Sequence, residues 1–322
     1  MLSNRWKTRL AEDGQAVAPA SRLCSCMTQI DLIAIDLDGT LVGADGLVSQ
    51  TNIDAVDRAR DAGIAVLICT GRGMCECKPT LEAIGQQDPV MVAGGSIIAD
   101  PVSGETLHRF TMSQQVVAAA TELFHEANCP ALIMKDPAEI RYDYLVVHSD
   151  DEHPIHPITK WWFEDHQLSV NYAKQVHHDE HPEHTVRVGV CIEQSVSNAI
   201  SKKIGELLGD DVWLYDFPCV MPKDHRGEVV HILELFAAKI NKWAAISWYL
   251  DRHNIDPSRV AAIGDQVNDV PMIEAAGIGI AMGNAIAEVQ GHAQYTTATN
   301  DNDGVAHAIN AILDGGLAAL KS

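Results

Sequence analysis

Two aspartates, Asp36 and Asp38, directly follow the apolar run 32–35 and are separated only by Leu37. The apolar run predicts a buried strand, and strand alternation points both carboxylates toward the same side of the sheet edge. In an open α/β sheet, ligands bind at the carboxyl ends of the strands. Two crowded carboxylates there need a cation or a shared proton. The pair therefore predicts metal-assisted attack by one carboxylate on an electrophile, while the second carboxyl group moves protons.

Strands and helices alternate on both sides of a long central segment. Residues 31–96 follow a βαβαβ pattern, and the same rhythm returns near the C-terminus. This order predicts a parallel sheet with helices on both faces. In the central segment the alternation gives way to helix and hairpin signals. We therefore expect a Rossmann-like α/β core formed by residues 30–96 and 223–315, an inserted α+β domain at 97–222, and an N-terminal extension at 1–29.

The chain of 322 residues is acidic, with a formal net charge of −21. This charge argues against nucleic acid and anionic membrane surfaces as partners. A site for a phosphorylated substrate would need a divalent cation and a few specific basic side chains. The eight cysteines do not resemble a disulfide framework, and no apolar run reaches the roughly 20 residues of a membrane span. We expect a cytoplasmic protein with reduced thiols, and both a monomer and a dimer remain open.

A histidine-rich run occupies residues 177–184 inside the predicted insert. Such a run can bind a transition metal, but its spacing matches no defined ligand set. We favour a polar surface loop over a metal site.

Four pieces of sequence with chemically active side chains stand at predicted strand ends or at a helix start. They are Asp36-x-Asp38-Gly39-Thr40-Leu41, Thr70-Gly71-Arg72, Lys242, and Gly264-Asp265-x-x-Asn268-Asp269. In this order they resemble the haloacid dehalogenase superfamily of phosphotransferases. The runs Ala281-Met282-Gly283-Asn284-Ala285 and Asp303-Gly304-Val305-Ala306, together with the large insert, are similar to its Cof-type phosphatase branch with a type IIB-like cap. The resemblance covers residues 30–315.

The resemblance implies a role for each carboxylate. Asp36 would be the nucleophile that forms an aspartyl-phosphate, and Asp38 would protonate the leaving oxygen and then activate water. Mg²⁺ would be held by the carboxylates of Asp36 and Asp265 and by the backbone carbonyl of Asp38, since hard oxygen ligands suit this ion. Asp269 would complete the metal site by holding a metal-bound water or Lys242.

The resemblance also implies contacts with the phosphoryl group. Thr70 and the backbone amide of Gly71 would bind phosphoryl oxygens at a helix start. Lys242 would neutralise charge on the transferred group. Lys239 is a rival for this role, although the residues after Lys242 match the family pattern better. Arg72 would either contact a substrate phosphate or close the loop.

Two further residues, and two positions that depart from the family pattern, bear on substrate recognition. Asn268 would support the metal loop, and both Asn268 and Asn284 are expected to contact substrate. Trp243 follows the lysine where the family usually has glycine, and Gly94 stands where the branch typically has asparagine. Because that asparagine commonly faces the substrate or the cap, we expect substrate recognition to differ here.

Together these features predict a Mg²⁺-dependent phosphatase that hydrolyses a small phosphomonoester, a sugar phosphate or related metabolite, through an aspartyl-phosphate. The insert would act as a cap that closes over the core and excludes water. A phosphomutase shares every core residue and differs in the final phosphoryl acceptor. A non-catalytic sensor of a phosphorylated metabolite is disfavoured because it has no need of both Asp36 and Asp38. A dehalogenase is disfavoured because its reaction needs no Mg²⁺.

Overall fold

The computed structural model describes residues 29–148, 155–219, 227 and 229–320. The predicted N-terminal extension at 1–29 therefore lies outside the described residues except for Gln29. No helix in the described ranges is long and apolar enough to cross a membrane.

The described residues form two sheets and their flanking helices. The strands are β1 (Leu32–Ile35), β2 (Ala65–Cys69), β3 (Val90–Val92), β4 (Ile97–Ala99), β5 (Thr106–Arg109), β6 (Ala131–Lys135), β7 (Tyr144–Val147), β8 (Val170–Ala173), β9 (Thr185–Glu193), β10 (Val212–Pro218), β11 (Val230–Ala237), β12 (Val260–Gly264), β13 (Ile278–Ala281) and β14 (Tyr295–Thr296). The helices are α1 (Gln50–Asp61), α2 (Met74–Ala83), α3 (Gln114–Glu126), α4 (Pro137–Ile140), α5 (Pro157–Asp165), α6 (Gln194–Leu207), α7 (Lys242–His253), α8 (Val270–Ala275), α9 (Ala287–His292) and α10 (Gly304–Asp314).

The first sheet has the strand order β14-β13-β12-β1-β2-β3-β4-β5. Its strands from β14 to β3 run parallel, while β4 pairs antiparallel with β3 and β5 pairs antiparallel with β4. Apolar side chains cover both faces, since residues on one face of β1 pack with α1 and α10, and those on the other face pack with α7 and α8. This mixed α/β architecture with a parallel-strand core confirms the predicted fold class.

The register of the central strands determines where the site can form. Ile35 at the end of β1 pairs with Ile68 of β2 and with Ile263 of β12. Because parallel strands end at the same edge, the residues that follow these three strands lie side by side. Asp36 is buried there, and its backbone N–H donates to the Ile263 carbonyl at 3.0 Å.

The second sheet has the strand order β10-β11-β9-β6-β7-β8 and is antiparallel except where β7 meets β8. Helices α3 and α6 pack on one of its faces through a separate apolar cluster. The boundary between the two sheets does not coincide with the predicted domain boundaries at 96/97 and 222/223. Strands β4 and β5 belong to the first sheet and β11 to the second, because hydrogen bonding to β3 and to β9 continues past the predicted boundaries.

The histidine-rich run 177–184 folds around the buried ammonium group of Lys135. This group contacts Asp179 and donates to the His181 carbonyl at 3.1 Å. Among the described residues, the run is not part of a cluster that could hold a metal ion. Its backbone and carboxylate groups therefore stabilise a lysine of the second sheet.

Candidate active site

Lys242 connects the aspartates that follow two neighbouring strands. Its Nζ lies 2.6 Å from Asp36 Oδ1 and 2.5 Å from Asp269 Oδ1. It is the first residue of α7, and the Asn241 side chain caps that helix by accepting from the Ala244 N–H at 3.0 Å. The lysine side chain is 1% exposed. Burial alone would lower its pKa, but the charges of Asp269 and Asp36 outweigh burial and raise it, so Lys242 is a fixed cation.

The rival lysine, Lys239, lies at the surface in the turn before α7. Its backbone adopts a positive φ of 64°. The structure therefore places Lys242, and not Lys239, among the strand-end carboxylates.

Asp269 is completely buried and uses both carboxylate oxygens. Oδ1 contacts Lys242, and Oδ2 accepts from the backbone N–H groups of Asp265 and Gln266 at 2.9 and 3.0 Å. A Cβ at Gly264 would lie 2.5 Å from the Asp269 side chain, which explains the glycine there. The contact with Lys242 is one of the two contacts predicted for Asp269.

Asp265 stands beside the turn that follows β1. Its Oδ1 accepts from the Thr40 hydroxyl at 3.3 Å. Gly39 has a φ of +77°, and a Cβ on it would lie 2.4 Å from Asp265 Oδ2, so only glycine allows this approach. Burial and the neighbouring charge of Asp269 raise the pKa of Asp265 to about 7.

Three buried carboxylates could together hold a cation. Oxygen atoms of Asp36, Asp265 and Asp269 lie within 4.8 Å of one another. Burial and the charge of Asp269 raise the pKa of Asp36 as well. Crowded hard oxygen donors whose charges repel fit a divalent ion such as Mg²⁺, since the ion would offset that repulsion.

The loop after β2 carries Thr70, Gly71 and Arg72. The buried hydroxyl of Thr70 accepts from the Arg72 backbone N–H at 3.1 Å. The Arg72 guanidinium forms a two-pronged ion pair with Asp38, with Nε 2.8 Å from Oδ2 and Nη2 on Oδ1. The structure thus adds a third possibility for Arg72, beside substrate contact and loop closure: it orients the carboxylate of Asp38.

The two asparagines predicted to contact substrate differ in placement. Asn268 lines the cavity at the strand ends, and its Oδ1 is buried without a hydrogen-bond partner among the described residues. Asn284 does not line the cavity: its Nδ2 donates to the Gly39 carbonyl at 2.8 Å, and its Oδ1 accepts from the Asn300 N–H. Asn284 therefore connects the loop after β1 to the loop at Asn300, and its contact with substrate stays a prediction.

A cavity of about 370 Å³ lies between the strand ends of the first sheet and the second sheet. Asp36, Asp38 and Asp265 line its floor. Several polar and aromatic residues that the sequence reasoning missed line its walls: Glu76, Tyr144, Trp162, Arg187 and Glu234. One signal was available, since Arg187 is the one charged residue within the otherwise apolar run 186–192 of β9.

Comparison with known proteins identifies the family. Residues 33–309 match the model of the haloacid dehalogenase-like hydrolases. The chain belongs to this family. It is 28% identical to a 5-amino-6-(5-phospho-D-ribitylamino)uracil phosphatase of Bacillus subtilis, over 88% of this chain and 98% of the relative. It is 26% identical to the pyridoxal phosphate phosphatase of Escherichia coli, over 86% of this chain and 97% of the relative.

A solved structure of a haloalkanoate (HAD) superfamily phosphatase from Bacteroides thetaiotaomicron has the same fold. It gives a TM-score of 0.71 at 22% identity and covers 91% of this chain and 99% of that one. The family model and the named relatives identify this chain as a phosphatase of the family, which confirms the enzyme class predicted from the sequence.

Proposed function

We propose that this phosphatase hydrolyses a small phosphomonoester in a Mg²⁺-dependent reaction, through an aspartyl-phosphate on Asp36. The observation that carries the proposal is the buried contact of Lys242 with both Asp36 and Asp269, beside Asp265. A carboxylate can attack an anionic phosphate only where nearby positive charge offsets the repulsion. Lys242 supplies one such charge within 2.6 Å of the proposed nucleophile.

The remaining residues have distinct proposed roles. Thr70 and the backbone amide of Gly71 bind the phosphoryl oxygens, and Lys242 stabilises the charge on the transferred group. Asp38, oriented by Arg72, gives a proton to the leaving oxygen and later takes one from water. Mg²⁺, when bound by Asp36, Asp265 and the Asp38 carbonyl, supplies further positive charge at the phosphoryl group.

We further propose that the two sheets correspond to a core and a cap. Strands β1–β5 and β12–β14 then form the core, and β6–β11 form the cap. The cavity lies between them, and the cap would exclude water while phosphate is transferred. This division extends the first core segment to about residue 110 and begins the second at about residue 238.

The proposed substrate is a sugar phosphate or a related small metabolite. The two curated relatives act on a ribityl phosphate attached to an aminouracil and on pyridoxal phosphate. In each of these compounds the phosphate is an ester of a primary alcohol. A first panel should therefore contain pyridoxal 5′-phosphate, pentose and hexose phosphates, and a phosphorylated ribityl compound.

The experiment measures phosphate release from this panel with Mg²⁺ and with EDTA, for the wild type and for Asp36→Asn. The proposal predicts turnover that requires the metal and is abolished by Asp36→Asn. The exposed Asp251→Asn in α7 is the matched control and should keep wild-type activity. Activity that survives Asp36→Asn would remove the nucleophile assignment. Inorganic phosphate released as fast as substrate disappears would exclude a phosphomutase.

A further inference from the structure

Two side chains beyond the first sheet contact the segment that follows β2. Arg187 of β9 donates from Nη1 to the backbone carbonyl of Gly71 at 2.9 Å. Trp162 of α5 donates from Nε1 to the carboxylate of Glu76 in α2. The ring of Trp162 also lies under the Arg72 guanidinium, 5.8 Å from its carbon to the ring centre. The segment 70–76 is thus contacted from outside the first sheet at both of its ends.

The guanidinium of Arg187 is held in place by two further side chains. Nη1 also pairs with Glu234 at 2.6 Å, and Nη2 donates to the Tyr144 hydroxyl at 2.7 Å. The side chains of Arg187 and Glu234 are 7% and 6% exposed. A buried, charge-assisted network with several partners holds its members in one geometry. The position of the Gly71 carbonyl is therefore tied to β9 and β11.

The segment 70–76 contacts Asp38 through the side chain of Arg72. Arg72 follows Gly71 in the chain and holds both carboxylate oxygens of Asp38. Its Nη1 also donates to the Glu76 carbonyl at 3.2 Å, while the Glu76 side chain accepts from the Gly73 N–H. Arg72 therefore links Arg187 and Trp162 to Asp38. Its backbone follows the Gly71 carbonyl that Arg187 contacts, and its guanidinium lies over the ring of Trp162.

We infer that Arg187 and Trp162 are positioning residues that hold Arg72, and through it Asp38, in place for proton donation to the leaving group. This inference rests on the proposed function. In that step an oxygen of Asp36 forms a bond to phosphorus and the ester P–O bond breaks. The electron pair of the broken bond stays on the leaving oxygen. That oxygen takes a proton from Asp38, which enters this step protonated on one carboxyl oxygen and keeps lone pairs on both oxygens for the N–H groups of Arg72. When the second sheet is seated over the first, its contacts complete the acid geometry.

The leaving group provides the readout. An alkoxide needs a proton as it departs, whereas p-nitrophenolate is stable without one. The value of kcat/KM reports events up to the first irreversible step, which here is phosphoryl transfer to Asp36, so it excludes later hydrolysis of the intermediate. A fault in acid positioning therefore lowers kcat/KM for an alkyl phosphate and leaves that for p-nitrophenyl phosphate nearly unchanged.

The experiment compares kcat/KM for the best alkyl phosphate of the panel and for p-nitrophenyl phosphate in Arg187→Lys and Trp162→Phe. Arg187→Lys keeps a cation for Glu234 but loses the planar fork, and Trp162→Phe keeps a ring but loses the N–H. We expect a loss of about tenfold or more with the alkyl ester and less than about threefold with p-nitrophenyl phosphate. Asp38→Asn should show the same contrast. Arg252→Lys and Trp213→Phe at more exposed positions are the matched controls.

Equal losses with both esters in folded Arg187→Lys and Trp162→Phe would overturn the inference, because a merely structural role affects both reactions alike. Wild-type kcat/KM with the alkyl ester in both variants would also overturn it. Trp162→Phe removes one hydrogen-bond donor without emptying the site, so it keeps the test decisive if Arg187→Lys does not fold. A wild-type protein that hydrolyses neither ester would instead contradict the proposed function itself.

Discussion

Replacing Asp265 by asparagine should stabilise the metal-free protein while it abolishes stabilisation by Mg²⁺. The reason is the crowding of carboxylates: burial and the charge of Asp269 raise the pKa of Asp265 from 3.8 to about 7. An ionised Asp265 is thus unfavourable in the folded, metal-free state. Asparagine keeps an oxygen that can accept from the Thr40 hydroxyl, and it carries no charge.

The size of the expected stabilisation follows from the raised pKa of Asp265. A raised folded-state pKa means that the folded state binds the proton more tightly than the unfolded state does. The free energy of unfolding therefore decreases as the pH rises from about 4 to about 7 and stays low above that. A shift of about three units at roughly 1.4 kcal/mol per unit corresponds to about 4 kcal/mol near pH 8. Near pH 8, the free energy of unfolding of Asp265→Asn should exceed that of the wild type by much of this amount. Near pH 4 the two proteins should be equally stable.

The assay is unfolding of the wild type and Asp265→Asn in EDTA across this pH range, repeated with Mg²⁺. Stability should rise with Mg²⁺ in the wild type and stay constant in the variant, because binding to the folded state alone shifts the equilibrium. Asp251→Asn, an exposed change of the same chemistry, should differ from the wild type in neither condition. An Asp265→Asn protein that is no more stable than the wild type in EDTA near pH 8 would refute the reasoning.

Three further substitutions test individual contacts. Lys242→Met should lower kcat by at least about 100-fold in the phosphate-release assay, since it removes the cation beside the proposed nucleophile; wild-type kcat would contradict this role. Gly95→Ala should destabilise by about 3 kcal/mol in urea unfolding, because a Cβ would lie 2.4 Å from a backbone oxygen. Gly46→Ala, with a similar positive φ and nothing within 4 Å, should cost only about 1 kcal/mol, and equal costs would contradict the clash. Glu234→Gln should destabilise by about 3 kcal/mol through loss of a buried pair, whereas the exposed Glu206→Gln should cost less than about 0.5 kcal/mol in the same assay.

The sequence predicted the fold class because its strongest signals are local. Apolar runs such as 32–35 and 64–69 predict buried strands, and alternation with helices predicts parallel pairing. Adjacent parallel strands bring the residues after them to one edge, so the strand pattern alone is enough to group Asp36, Thr70 and Asp265. Their exact roles stay predictions, since the geometry alone does not measure reactivity.

The walls of the cavity could not be predicted in the same way. Arg187 and Glu234 lie on neighbouring strands of the second sheet, but they are 47 positions apart in sequence order and no local pattern links them. The contact of Trp162 with Glu76 crosses between the sheets and is equally non-local. For the same reason, the sequence did not show that β4 and β5 continue the first sheet or that β11 joins the second.

Gly94, one of the two departures from the family pattern, lies in the turn between β3 and β4 of the first sheet and faces β11 of the second sheet. Its φ of +66° is one that asparagine also tolerates, so the backbone alone does not require glycine. The obstacle is the buried ring of Phe236 in β11, because a Cβ on residue 94 would lie 2.6 Å from it. That ring also packs near the guanidinium of Arg187, whose carbon is 5.9 Å from the ring centre. An asparagine would therefore displace a ring that borders the network in contact with Gly71.

Gly94→Asn should accordingly destabilise the protein by about 1–3 kcal/mol, the usual range for overpacking. Phe236→Leu provides space, so the double variant should lose less stability than the sum of the two single variants, by about 1 kcal/mol. Urea unfolding of the four proteins measures this coupling. Additive losses would show that the ring is not what excludes a side chain at position 94. A measured coupling would mean that a phenylalanine of the second sheet fills the space that the asparagine of the family pattern would need.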